Sequence, residues 1–145
     1  MNKSQIWSLL ASRAEKKAAG ALALVGGATQ VLDGLVASER RVRDLHAEYS
    51  RRLRDTQSES HGMAQIVLLR RYIAHIEMLQ EKLSLSRLAA EGKLAAAREH
   101  YLAAEAEHKK MIKLCEREDE RVRRVRQEKE LRAMDAAAIA QFNRR

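Results

Sequence analysis

No proline interrupts the 145 residues of this chain. Proline ends a helix more surely than any other residue, because it lacks the amide proton and its ring clashes with the preceding turn. Glycine occurs only six times, so almost any segment is free to be helical. Ala, Leu, Glu, Arg and Lys dominate, as in long helices and coiled coils. Aromatic residues make up 3% of the chain and charged residues 33%. A globular core needs bulky side chains converging from several directions. A seam between two helices is the more natural place to bury the apolar residues present here.

The first helix is expected to open at Ser4, an acceptable N-cap followed by Ile6, Trp7, Leu9 and Leu10. From Val25 a heptad runs through Ala28, Leu32 and Leu35 to Val42, Tyr49 and Leu53, with polar Glu39 and His46 in the same frame. The polar stretch Thr56–Gly62 is the clear loop candidate. A second heptad is read through Leu69, Tyr72, Ile76, Leu79 and Leu83. It thins to Ala90 and Ala97, then regains size at Leu94, Tyr101, Met111, Leu114 or Cys115, Val122 and Val125, a drift that suggests a gentle twist or stutter. A short connection joins antiparallel neighbours. The expected fold is therefore all-α: one long antiparallel two-helix coiled-coil hairpin, with helix 1 at about 4–56, a loop at about 57–62 and helix 2 at about 63–142.

Folding back at the loop sets a register. If Tyr49 faces Tyr72, Leu45 faces Ile76 and Val42 faces Leu79. Gly26 and Gly27 then fall opposite Gly92 and the Leu94–Ala97 run, which predicts close approach of the two backbones there. The start of helix 1 meets helix 2 near Arg117–Glu120, and the rest of helix 2 is a C-terminal helical overhang. Val122, Val125, Leu131, Met134, Ile139 and Phe142 give it apolar residues at roughly helical spacing, the mark of a partner-binding element.

The net charge of +8 draws the chain toward acidic partners. Arg and Lys nevertheless alternate with Glu and Asp, as on a solvated helix face. Nucleic acid is not the expected partner. A basic coiled-coil module for nucleic acid or anionic membrane is the alternative reading. The lone Cys115 can form no disulfide within the chain. The apolar stretch Ala18–Ala28 is broken by Gly20, Gly26 and Gly27 and falls short of the roughly 20 residues a membrane span needs. The N-terminus lacks a signal-peptide pattern. His46, His61, His75, His100 and His108 fit no metal motif, although His46 and His75 could be neighbours across the seam. No phosphate loop or nucleophile motif is present, so no enzyme activity, cofactor, metal or small-molecule substrate is expected.

Glu48–Tyr49 and Leu53 before the loop, and Tyr72–Ile73, Ile76 and Glu77 after it, carry a resemblance. So does the Arg/Glu-rich run Glu128, Lys129, Glu130 and Leu131 into Met134–Asp135, then Phe142. Over nearly its whole length the chain resembles the flagellar export protein FliJ family, the stalk of the flagellar type III export ATPase. The resemblance implies a non-enzymatic stalk and adaptor, cytoplasmic and peripheral to the inner face of the cell membrane through its partners. Those partners are the export ATPase hexamer, the export gate protein FlhA and export chaperones. The gate contact would fall on Val42, Leu45, Tyr49, Tyr72, Ile76, Leu79 and Leu83. The same residues read equally well as hairpin seam. The ring contact would fall on the helical ends, at Ile6, Trp7, Leu10, Arg121, Arg124, Met134, Ile139 and Phe142. The equivalent stalk of a virulence-type injectisome has the same shape.

Overall fold

The computed structural model describes residues 2–59 and 62–144; Ser60 and His61, within the expected loop, lie outside the described residues. The fold is an all-α hairpin of two long helices packed against each other, α1 (Lys3–Ser58) and α2 (Met63–Asn143). The described residues group into two compact units. One runs from Ala21 to His100; the other joins the residues up to Gly20 with those from Tyr101 onward.

α1 is capped two residues earlier than Ser4. Asn2 is the cap: its Oδ1 accepts the Gln5 amide at 2.9 Å, and Gln5 Oε1 accepts the Asn2 amide at 3.3 Å. This is a reciprocal capping box, with a glutamine three residues after its cap. Ser4 instead donates its hydroxyl to Asp119 of α2 at 3.3 Å. At the other end, Ser58 Oγ donates to the Asp55 carbonyl at 2.8 Å. Thr56, which the sequence reading placed in the polar break, is 9% exposed, and its hydroxyl donates to the Arg52 carbonyl at 2.8 Å.

In the unit Ala21–His100 the covered line of α1 is Ala21, Val25, Ala28, Leu32, Leu35, Glu39, Val42, His46, Tyr49, Leu53 and Thr56, with Thr29, Ser38 and Ser50 half-buried beside it. They step alternately by four and three residues, the signature of a heptad whose core positions we label a and d. Those of α2 are Ile66, Leu69, Ile73, Ile76, Gln80, Leu83, Arg87, Ala90, Leu94 and Ala97, again with no break in the alternation. The expected stutter is absent. It came from a wrong frame: Tyr72 and Leu79, 49% and 37% exposed, stand outside the seam. Ile73 and polar Gln80 hold those layers. Large residues drew the reading one position aside because a polar glutamine is a poor advertisement for a core site.

The glycine expectation also fails. A Cβ built on Gly26, Gly27 or Gly92 would meet nothing within 4 Å. All three are exposed and lie outside the seam. The small residues between the helices are alanines such as Ala21, 3% exposed, and Ala90, 6% exposed. Nor do the glycines interrupt α1, which runs unbroken through them. By length and composition α1 holds a stretch able to cross a membrane. Only 6% of that stretch is buried; in α1, Ala21, Val25 and Ala28 lie on the covered seam while Leu22 and Leu24 beside them are exposed.

The second unit continues the pattern on its own terms. Ser4, Trp7, Ala11, Ala14 and Ala18 form the α1 line, and Tyr101, Ala104, His108, Met111, Cys115 and Glu118 the α2 line. Beyond Glu118, α2 has outrun α1.

Candidate interaction surfaces

With a and d in the seam, each helix has two flanks: the e positions on one side and the g positions on the other. In an antiparallel pair e lies beside e and g beside g. In the unit Ala21–His100 the side of the seam toward e carries the ion pairs, although Leu22 and Val36 on the α1 e line are exposed apolar residues. Arg87 donates from Nε to Glu39 at 2.7 Å across the seam and from its terminal nitrogen to Glu91 at 2.8 Å along α2. Hydrogen bonds that Arg87 donates to Glu91 first, and to Glu39 next, raise its pKa above the ordinary value. His46 pairs with Glu77 at 3.1 Å. His75 does not join His46; it stands exposed on the outward side of α2. Among the described residues no group of three or more His, Cys, Asp or Glu side chains could hold a metal.

The g flank is different. Its α1 line is Leu24, Val31, Ser38, Leu45 and Arg52; its α2 line is Tyr72, Leu79, Ser86 and Lys93. No carboxylate stands on either line. Leu24, Val31, Leu45, Tyr72 and Leu79 are all exposed large apolar residues. The residues that the family resemblance assigned to the export gate fall into this pattern. Val42, Tyr49, Ile76 and Leu83 are d positions, and Leu45, Tyr72 and Leu79 are g positions. All of them therefore lie on the d–g side, the first group as covered seam and the second as exposed edge. The Tyr49 and Tyr72 rings meet with centroids 5.7 Å apart, as the register requires, and the Arg52 guanidinium lies 5.2 Å from the Tyr49 ring centre.

In the other unit, Lys3, Ile6 and Trp7 of α1 and Leu114, Arg117, Glu118 and Arg121 of α2 line a shallow groove of about 400 Å³. Three ring-contact residues, Ile6, Trp7 and Arg121, thus share one site, and Leu10 is half-buried nearby on α1. Glu118 closes the seam with a carboxylate. Arg121 grips it with two hydrogen bonds, at 2.8 and 3.1 Å. That contact is the largest cause holding the Glu118 pKa below the usual carboxylate range, opposed by burial and aided by Lys3.

From Arg121 to Arg144 every residue is exposed. Arg121 and Arg124 are not free, since Glu118 and Glu120 pair with them within the helix at 2.8 and 2.7 Å. Met134, Ile139 and Phe142 are bare, Phe142 to 79%. The apolar residues do not form the single stripe expected. Val122 and Val125 continue the a and d lines, and Ile139 returns to them after Lys129 and Arg132. Leu131 and Phe142 lie about a third of a turn away, because the six-residue step from Val125 to Leu131 turns the helix by roughly 240°, and Met134 lies about half a turn away.

An antiparallel α-helical pair with ion pairs in its seam, exposed apolar residues along its edges and an unpartnered helical end belongs to the class of coiled-coil interaction proteins. The family model described as flagellar FliJ protein matches residues 8–145, nearly the whole chain. The chain belongs to that family and is a component of the flagellar protein export apparatus. Neither a curated protein nor a solved structure gives a significant match.

Proposed function

We propose that the chain is a non-enzymatic stalk and adaptor that couples the export ATPase ring to the membrane export gate FlhA, working on the cytoplasmic side. The observation that carries this reading is that α2 outruns the seam. After Glu118 about 25 residues, roughly 38 Å at 1.5 Å each, continue as helix with every side chain exposed. An isolated helix of this length is marginal in water, and burial in a ring of acidic and apolar loops would stabilise it. Ile6, Trp7, Leu10, Arg121, Arg124, Met134, Ile139 and Phe142 would contact that ring. The arginines suit such a site, since a planar guanidinium matches carboxylate geometry. Val42, Leu45, Tyr49, Tyr72, Ile76, Leu79 and Leu83 would face the gate, an assignment supported by their shared d–g side. Escort of export chaperones belongs to the same proposal.

Truncation after Glu120 tests the ring contact. It leaves the seam intact and should abolish stimulation of the ATPase while the remaining chain stays helical. Amide exchange in 121–143 should be fast in the free protein and slow when the ATPase is added. Slow exchange in the free monomer, or a truncated chain that stimulates normally, would remove the inserted overhang.

A further inference from the structure

We propose that the outward face of α2 between Ala64 and Lys93 is a docking site for an anionic lipid bilayer. In a two-helix pair the outward positions b, c and f meet water and ordinarily carry polar residues. Here the face centred on c, and flanked by f and g, mixes large apolar residues with cations. Leu68, Met78 and Leu85 project from its outermost positions, and are 50%, 55% and 63% exposed. Between them stand Arg71, His75 and Lys82. No carboxylate occupies any c, f or g position from Ala64 to Lys93. The acids of this stretch are elsewhere: Glu77 pairs with His46, Glu91 pairs with Arg87, and Glu81 sits on b at the far margin.

This arrangement fits a broad negative surface better than a protein groove. The face lies on one helix, away from the channel between the two g lines, so it offers no cleft for a partner helix. Its apolar side chains arrive singly, with a cation between successive ones, over roughly 26 Å of helix from Leu68 to Leu85. That is the pattern of an amphipathic helix lying in a membrane interface, with apolar residues sunk about 5–10 Å and the stems of Arg and Lys reaching back to headgroups. Tyr72, at the edge of the face, is of the residue type favoured at headgroup level.

Tyr72 and Leu79 border both this face and the gate flank. The test therefore uses Leu68, Met78, Leu85, Arg71 and Lys82, none of which the gate reading names. The full chain is sedimented with vesicles of pure phosphatidylcholine, or with vesicles in which about one lipid in three is phosphatidylglycerol. Partition onto the anionic vesicles alone is expected. R71Q with K82Q should weaken it about 25-fold, about fivefold per cation near an anionic surface. L68S with M78S and L85S should weaken it too, with helix content unchanged because all are outside the seam. Truncation after Glu120 should leave it intact. Equal binding to neutral vesicles, no binding to either, or loss with the truncation but not with the face variants would each overturn the proposal. So would loss of FlhA capture in these variants by a chain that ignores vesicles, which would make the face a protein contact.

Discussion

The two flanks of the seam in the unit Ala21–His100 are built on opposite principles. On the e side, the seam residues Glu39 and Arg87 and the flanking Glu91 form a chain of charge-assisted bonds, and seam His46 meets Glu77. On the g flank, Leu24, Val31, Leu45, Tyr72 and Leu79 stand open to water. Both border the same core layers, but the ion pair is the more covered: the Glu39 and Arg87 side chains are 16% and 29% exposed, against 64% for Leu24. An ion pair across a coiled coil fixes partner and register and contributes modestly to stability. Apolar residues left bare contribute little to a fold, but they are what a partner can bury. One flank thus specifies the hairpin, and the other is available for assembly.

The largest contrast expected is between the seam and the g flank. Ile76→Ala removes a side chain that is 4% exposed and should cost roughly 2–5 kcal/mol in thermal or denaturant unfolding. Leu79→Ala, three residues along, should stay within about 0.5 kcal/mol while weakening gate capture. Comparable losses of stability from the two changes would break the distinction between core and docking edge. A smaller effect should separate the flanks. In a double-mutant cycle, Glu39→Gln and Arg87→Gln should be coupled, since each leaves the other's charge without its partner across the seam. Leu24→Ser and Tyr72→Ser should be additive. Zero coupling for the ionic pair would deny the e flank its specifying role.

The smallest expected effect is a pH dependence in the other unit. Arg121 depresses the folded-state pKa of Glu118, so the unfolded chain binds the proton more readily than the folded one. Their contact therefore stabilises fully above the ordinary carboxylate pKa of about 4.3. It is lost as the pH falls through the lower, folded value. Glu118→Gln should flatten that part of the acid limb of the unfolding curve. An unchanged limb would show that the seam's closing carboxylate is held by something other than charge.

Most of the hairpin was legible in the residues, and the failures have physical causes. Val25 to Leu53 announced its frame because β-branched and leucine residues occupy it, and the loop stood out through its polarity. In α2 the frame was misread where Gln80 and Arg87 sit in the seam, because a core position identified by its partner cannot be recognised from one strand of sequence. Glu39 and Arg87 look like ordinary surface charges until they are brought within 2.7 Å. The glycines misled because a missing side chain marks either close approach or simple exposure, and only a neighbour's distance separates the two. Asn2 was passed over as a cap in favour of Ser4, although Gln5 three residues on supplied the reciprocal partner. The gate flank was half visible: the right residues were named, but their division between d and g needed the frame corrected first. The one signal that pattern reading could have caught is the run of c, f and g positions without acid from Ala64 to Lys93.

The unbroken heptad in the unit Ala21–His100 also governs how its helices can move past each other. A slip of one or two residues would rotate the a and d lines out of contact. The nearest position with matching layers is a full heptad away, about 10 Å along the axis. There Arg87 would meet Leu32 or His46 in place of Glu39, with no seam carboxylate to receive it. The cross-seam pair thus acts as a detent, and a pull on one helix is passed to the other as load instead of leaking away as creep.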